Sequence, residues 1–258
     1  MTQLALVIDL NVCVGCHACV TSCKEWNTSG PAGYMTDENP YGKDPTGTFF
    51  NRVQTYKVGT FPNTETVHFP KSCLHCEEPP CVPVCPTGAS YKRKEDGIVL
   101  VDNERCIGCK FCMTGCPYNA RIFMWEKLEV ENEKDLEYSP ETSIPAREGT
   151  VAKCDFCPDM IRNKELPHCV SGCPMGAIYF GDINEDSVTN GEETVSFTEL
   201  IQNFDGYRHL ENLGTDPSVY YLPATARLFP FERGLEGKDE ELLERYKRTP
   251  YFKNKDNG

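Results

Sequence analysis

The chain of 258 residues carries 39 acidic against 26 basic side chains, a formal charge of −13, and only 39% of its residues are hydrophobic. So acidic a balance argues against a nucleic-acid partner, which needs a basic footprint. No apolar run approaches the roughly 18–20 residues of a membrane span, so no segment is expected to cross a bilayer directly.

In place of apolar residues the chain has 16 cysteines among 20 glycines and 19 prolines. That mixture predicts a loop-rich fold in which metal clusters do part of the work of a core. Residues 4–8 are apolar and stop at Asp9. They predict a strand rather than a leader, since the opening lacks the basic start or paired arginines of an export signal. Residues 27–67 form an insertion punctuated by Gly30-Pro31, Asn39-Pro40 and Asp44-Pro45, with one alternating run over 50–58 that reads as a strand. A loop of that length is expected to face a partner. Residues 89–93, the turn Glu95-Asp96-Gly97 and residues 98–101 read as a β-hairpin.

Residues 126–150 are acidic and read as a solvated excursion, or else a partner-facing one, and residues 177–180 predict another short strand. Residues 196–209 predict a helix capped by Ser196, with Glu199 three residues on and Phe197, Leu200, Ile201 and Phe204 on one face. A second, highly charged helix is expected over 238–248. The rest of 183–258 is cysteine-free, aromatic and Pro-punctuated, and reads as an extended arm that wraps a partner or packs back over the chain's own sites.

The cysteines fall in four groups of four with none left over: Cys13, Cys16, Cys19, Cys23; Cys73, Cys76, Cys81, Cys85; Cys106, Cys109, Cys112, Cys116; and Cys154, Cys157, Cys169, Cys173. The first and third groups are C-x2-C-x2-C-x3-C, and the other two lengthen the gap before the third cysteine. Three ligands at this spacing curl one loop around a cubane cluster, and the fourth crosses to the other cluster of a two-cluster unit. Four [4Fe–4S] clusters are therefore expected. By that exchange Cys73, Cys76 and Cys81 join Cys116; Cys106, Cys109 and Cys112 join Cys85; Cys13, Cys16 and Cys19 join Cys173; and Cys154, Cys157 and Cys169 join Cys23. Pro follows Cys85, Cys116 and Cys173, as such signatures have it, whereas Lys24 follows Cys23. Four-thiolate zinc is the competing reading, but zinc sites rarely use a three-plus-one run followed by Pro.

The expected fold class is α+β. Residues 1–26 with 151–182 and residues 68–125 make two interlocked ferredoxin-like units, one nested around the other. The histidines His17, His68, His75 and His168 lie beside filled ligand sets and are expected to pack or to donate hydrogen bonds. Trp26 and Trp125 are expected to shield cluster loops from water. Lys24, Lys71, Lys110 and Lys153 stand next to ligands, where they offset cluster charge or face solvent. There is no nucleophile–base pair, no phosphate-binding glycine loop and no flavin or nicotinamide fingerprint, so no catalytic residue is assigned.

The runs Cys13-Val14-Gly15-Cys16-His17-Ala18-Cys19, Cys73-Leu74-His75-Cys76-Glu77-Glu78-Pro79-Pro80-Cys81, Cys106-Ile107-Gly108-Cys109-Lys110-Phe111-Cys112 and Cys154-Asp155-Phe156-Cys157 resemble the four-cluster subunit of dimethyl-sulfoxide-reductase-family molybdenum enzymes. The resemblance covers about residues 1–182. It implies a non-catalytic subunit that conducts electrons between a molybdopterin catalytic subunit and a quinone-reactive membrane subunit. Relatives such as nitrate reductase carry Trp for one third-group cysteine and hold a three-iron cluster; Cys109 is present here. Lys24-Glu25-Trp26-Asn27 and the insertion after it look most like membrane-bound sulfite dehydrogenases, with polysulfide, tetrathionate and dimethyl-sulfoxide reductases close behind. The sulfite-oxidising relatives imply the cytoplasmic face of the membrane, held there by a partner. Other relatives imply export on a signal-bearing subunit. A free-standing polyferredoxin is the alternative function. Metal analysis of the purified protein separates these readings from zinc: about sixteen iron and sixteen sulfide per chain are expected, and zinc without sulfide contradicts them.

Overall fold

The apolar run near the N-terminus becomes the middle of a six-stranded sheet, and its two faces divide the molecule. A computed structural model describes residues 2–28, 48–61, 63–125, 139–141 and 147–224. Its strands are β1 (Leu4–Asp9), β2 (Arg52–Thr60), β3 (Asn63–Lys71), β4 (Ser90–Lys92), β5 (Val99–Val101), β6 (Ile122–Phe123), β7 (Val151–Ala152), β8 (Ile178–Asp182), β9 (Ser187–Thr189), β10 (Thr194–Val195), β11 (Tyr207–Arg208) and β12 (Val219–Leu222). The helices are α1 (Ala18–Asn27), α2 (Phe111–Thr114), α3 (Pro158–Arg162), α4 (His168–Ser171) and α5 (Phe197–Asn203).

The sheet runs β10-β9-β8-β1-β12-β11. β1 pairs antiparallel with β8 and parallel with β12, which buries all six of its residues. Because strand side chains alternate between faces, Leu4, Leu6 and Ile8 join a core with Cys19, Cys23, Cys73, Cys76 and Cys154. Ala5 and Val7 join a second core with Tyr179 and Leu200, on the α5 side. The class is α+β, with two interlocked ferredoxin-like halves. β1 and β8 come from opposite ends of the cysteine-bearing region and pair with each other, while the β4–β5 hairpin lies between the second and third groups.

Several expectations change. The strand expected over 50–58 is Arg52–Thr60, and it pairs along its length with Asn63–Lys71. That hairpin straddles the boundary placed at 67/68. Its base is core, through Phe50, Val53 and Phe69, while Tyr56, Val58 and Phe61 near the tip are exposed. The helix expected over 196–209 ends at Asn203, because Asp205 takes a left-handed φ of 51° and Tyr207 enters β11. Ser196 does cap it, its Oγ accepting from the Glu199 N–H at 3.1 Å. The reciprocal partner is Asp186, which accepts from the Ser196 hydroxyl at 2.7 Å and from the Thr198 N–H at 2.6 Å.

The larger correction concerns the arm. Residues 183–224 are part of the body, because β12 completes one side of β1 and Val219, Tyr221 and Leu222 are fully buried. Just before β12, the N–H groups of Glu77 and Glu78 donate to the Asp216 and Thr215 carbonyls, and the Ser218 N–H donates to the Leu74 carbonyl. The second cysteine group thus satisfies its backbone on this segment. The helix expected over 238–248, most of the insertion and most of the acidic excursion lie outside the described residues. Of the excursion, Glu141 pairs with Arg93 and Arg162 at 3.4 and 3.7 Å. Among the described residues no helix is long and apolar enough to cross a membrane.

Tyr221 joins the two halves. It stacks on Phe69 at 4.3 Å between ring centroids, and its hydroxyl donates to the Pro70 carbonyl at 3.1 Å. Tyr221→Ala is expected to destabilise the folded protein by about 3–5 kcal/mol. Tyr221→Phe should lose about 1 kcal/mol, the worth of one buried hydrogen bond. Denaturant unfolding of the cluster-loaded protein measures both; equal effects would contradict the packing role.

Candidate iron–sulfur sites

Each cysteine group begins with a loop whose backbone turns left-handed just before its second cysteine. The residues there are Gly15 (φ 69°), His75 (φ 44°), Gly108 (φ 68°) and Phe156 (φ 64°). A Cβ at Gly108 would lie 2.2 Å from the Gly149 carbonyl oxygen, and one at Gly15 would lie 2.3 Å from His68 Nδ1. Only glycine meets both demands at those positions. His75 and Phe156 carry side chains at a strain of roughly 1–2 kcal/mol each. Their rings stack on one another at 3.6 Å, so the contact offsets the strain.

These turns bring the cysteines into sets that draw on two groups each. Cys73, Cys76, Cys81 and Cys116 line one cavity. Cys85, Cys106, Cys109 and Cys112 line another. Cys19 lies in the field of Cys13, Cys16 and Cys173, and Cys23 in that of Cys154, Cys157 and Cys169. Among the described residues no three His, Cys, Asp or Glu side chains converge on a single-ion site. Eight of the thiols ring two cavities instead, and an iron–sulfur cluster is a group that four soft donors spread around a cavity can hold.

The electrostatics favour ligation over free thiolates. Burial pushes the Cys19, Cys76 and Cys154 thiols up to about 12, with neighbouring cysteines or Asp155 adding to it. Burial drives Cys23 and Cys169 up as well. Thiols in such sites ionise when iron supplies the positive charge, and they release protons as they bind it. Cys85 differs. Burial opposes its ionisation, but the N–H groups of Ser90, Thr87 and Ala89 and the Thr87 hydroxyl outweigh burial and bring the thiol below its usual range.

Several polar groups around the sulfurs were not singled out by the sequence. Arg121 is buried and donates from Nη2 to Cys81 Sγ at 2.9 Å. Burial pushes the Cys112 thiol up, and the same guanidinium opposes it. Asn27 donates from Nδ2 to Cys23 Sγ at 3.4 Å and reaches Cys157 Sγ at 4.0 Å. Thr215, from the supposed arm, hydrogen-bonds Cys76 and the Tyr118 hydroxyl. Only their position a few residues from a ligand, for Arg121 and Asn27, hinted at such a role.

The singled-out residues divide. Lys153 is buried and donates to the carbonyls of Val99 and Cys154. Lys24 is also buried, over the Phe49 ring at 4.7 Å. Lys110 lies over the Phe123 and Trp125 rings at 4.0 and 3.8 Å. His75 is fully buried with Nδ1 accepting from the Val99 N–H at 3.1 Å, and burial followed by Lys153 holds it neutral. Trp26 covers His168 at 4.4 Å, while Trp125 is half-exposed. His68 Nδ1 meets the Thr55 hydroxyl at 3.1 Å.

Models of the 4Fe-4S dicluster domain match residues 12–89 and, in a second form, residues 64–135 with 141–183. The chain is 54% identical over 229 residues to a sulfite dehydrogenase subunit of Allochromatium vinosum, covering 86% of this chain and 84% of that one. It is 37% identical to a protein of Halobacterium salinarum named as a dimethyl sulfoxide reductase iron-sulfur subunit, over 86% of this chain and 79% of the other. The chain belongs to the iron–sulfur subunits of the dimethyl-sulfoxide-reductase family. A tetrathionate reductase subunit of Salmonella typhimurium, 37% identical over 85% of this chain and 72% of its own, extends the same set. As an iron–sulfur subunit the chain relays electrons and carries out no substrate chemistry of its own.

The glycine geometry gives a paired test. Gly108→Ala is expected to lower bound iron by about one cluster's share, because the added Cβ strikes backbone at Gly149. Gly149→Ala, with nothing within 4 Å of its Cβ, should keep the full iron content despite its φ of 77°. Iron analysis of the two purified variants decides; equal iron would contradict the steric argument.

Proposed function

We propose that this chain holds four [4Fe–4S] clusters in a single row and relays electrons between a molybdopterin catalytic subunit and a quinone-reactive membrane subunit during sulfite oxidation. The proposed ligand sets are Cys85 with Cys106, Cys109 and Cys112; Cys116 with Cys73, Cys76 and Cys81; Cys23 with Cys154, Cys157 and Cys169; and Cys173 with Cys13, Cys16 and Cys19. When bound, the clusters supply one-electron sites. The protein's part is to hold the sulfurs, exclude water and set the local charge.

The observation that carries the reading is how neighbouring sets lie in one another's electrostatic field. Cys112 lies in the field of Cys81, Cys154 in that of Cys73, and Cys169 in that of Cys19. These pairings string the sets in the order just given. Cys109 and Cys16, at the two ends, are the exposed cysteines, while the two inner sets are almost wholly buried. A row that is dry in the middle and open at each end suits a conductor between two other chains. The match to a sulfite dehydrogenase subunit favours sulfite as the donor. Nothing in the row selects a substrate, which is consistent with the choice being made in the catalytic partner.

The native complex tests this reading. Purified from its source, the chain should bring with it a larger molybdenum-containing polypeptide and a membrane polypeptide, and sulfite should reduce its clusters. A stable monomer without molybdenum would contradict it. In Cys116→Ala the paramagnetic signal belonging to Cys73, Cys76 and Cys81 should disappear first. Loss of the signal belonging to Cys106, Cys109 and Cys112 instead would overturn the ligand sets.

A further inference from the structure

Arg121 is a buried cation placed between two of the sulfur-lined cavities. Its side chain is 2% exposed. It lines both the cavity of Cys73, Cys76, Cys81 and Cys116 and that of Cys85, Cys106, Cys109 and Cys112. Among the described residues it makes no ion pair with a carboxylate. Its Nη2 donates to Cys81 Sγ at 2.9 Å and to Ser90 Oγ at 2.6 Å. The Ser90 N–H in turn donates to Cys85 Sγ at 3.4 Å. One hydrogen-bonded bridge thus runs from a sulfur of the first cavity to a sulfur of the second. Another guanidinium nitrogen, Nη1, is buried and meets no acceptor among the described residues.

A guanidinium in this setting stays protonated. With no carboxylate beside it, its burial is strongly unfavourable unless the cavities hold negative charge. Four thiolates per cluster would supply that charge, and sulfide at the cavity wall would give Nη1 its missing acceptor. Each cluster becomes more negative by one electron on reduction. A fixed positive charge and N–H donors at sulfur therefore favour the reduced form.

We propose that Arg121 is a positioning residue that raises the reduction potentials of these two neighbouring clusters together. The inference rests on the ligand sets proposed above. Its charge acts on both clusters, while its hydrogen bonds act through Cys81 directly and through Ser90 on Cys85. The other two clusters lie beyond the His75–Phe156 stack, where its charge is expected to act less strongly.

The test is a redox titration of the whole complex, followed by electron paramagnetic resonance, with Arg121→Gln and Arg121→Lys. In R121Q two of the four clusters should become harder to reduce by at least tenfold in equilibrium constant, about 59 mV for a one-electron couple. The other two should hold. R121K, which keeps the charge, should recover most of the shift. Unchanged potentials, or an equal shift in all four, would overturn the proposal. Should R121Q fail to assemble, native complex with isotopically labelled arginine decides. Pulsed resonance of the reduced protein should show a guanidinium nitrogen coupled to a cluster spin, and its absence would overturn the proposal. The ligand sets are read separately from Cys116→Ala. If that variant loses the wrong signal, the sets fall and the proposal with them. If it loses the right one while R121Q leaves every potential in place, the Arg121 proposal falls alone.

Discussion

Thiols drawn together where burial resists the ionisation of eight of them, Cys19, Cys23, Cys76, Cys112, Cys116, Cys154, Cys157 and Cys169, are the constraint on which the rest of this structure depends. Burial raises the affinity of Cys19, Cys76 and Cys154 for their protons, and neighbouring thiols raise it further. The sulfurs become ligands only when iron replaces those protons, so assembly of the sites and completion of the fold are one process. The main apolar core makes the same point, since Cys19, Cys23, Cys73, Cys76 and Cys154 are among its members. A chain with so modest an apolar content gains from clusters what larger cores gain from leucine and phenylalanine.

The four loops solve one backbone problem in two ways. The sets at the ends of the proposed row use Gly15 and Gly108, where a side chain would collide with His68 or with the Gly149 backbone. The inner sets place His75 and Phe156 at the equivalent points and stack them. Strain is thus accepted where the rings can fill the junction between two neighbouring sets and exclude water from it. The polar groups follow the same division. Arg121 and Lys153 are buried, whereas Lys110 lies out by Trp125, near the exposed Cys109.

What the sequence disclosed was local. Spacing within C-x2-C-x2-C-x3-C constrains a single loop, and the turn at Gly97 pins one hairpin, so both are readable from neighbours in the chain. β12 was not readable. Its residues, Val219-Tyr220-Tyr221-Leu222, make as good an extended arm as a strand, and their partner β1 lies at the other end of the chain. The early stop of α5 was hidden for a related reason, because Phe204 keeps the helical spacing while Asp205 breaks the backbone. Arg121 carries no signal in one sequence. A lone arginine after a cysteine loop reads as a surface cation until the fold closes both cavities around it.

Crossed ligation is the central claim, and an iron-edge anomalous difference map of the intact complex tests it most directly. The account predicts four compact iron peaks in a row, with the peak beside Cys109 bonded by Cys85 and its neighbour beside Cys76 bonded by Cys116. A peak beside Cys109 bonded by Cys116, or a row with any of the four missing, would contradict it.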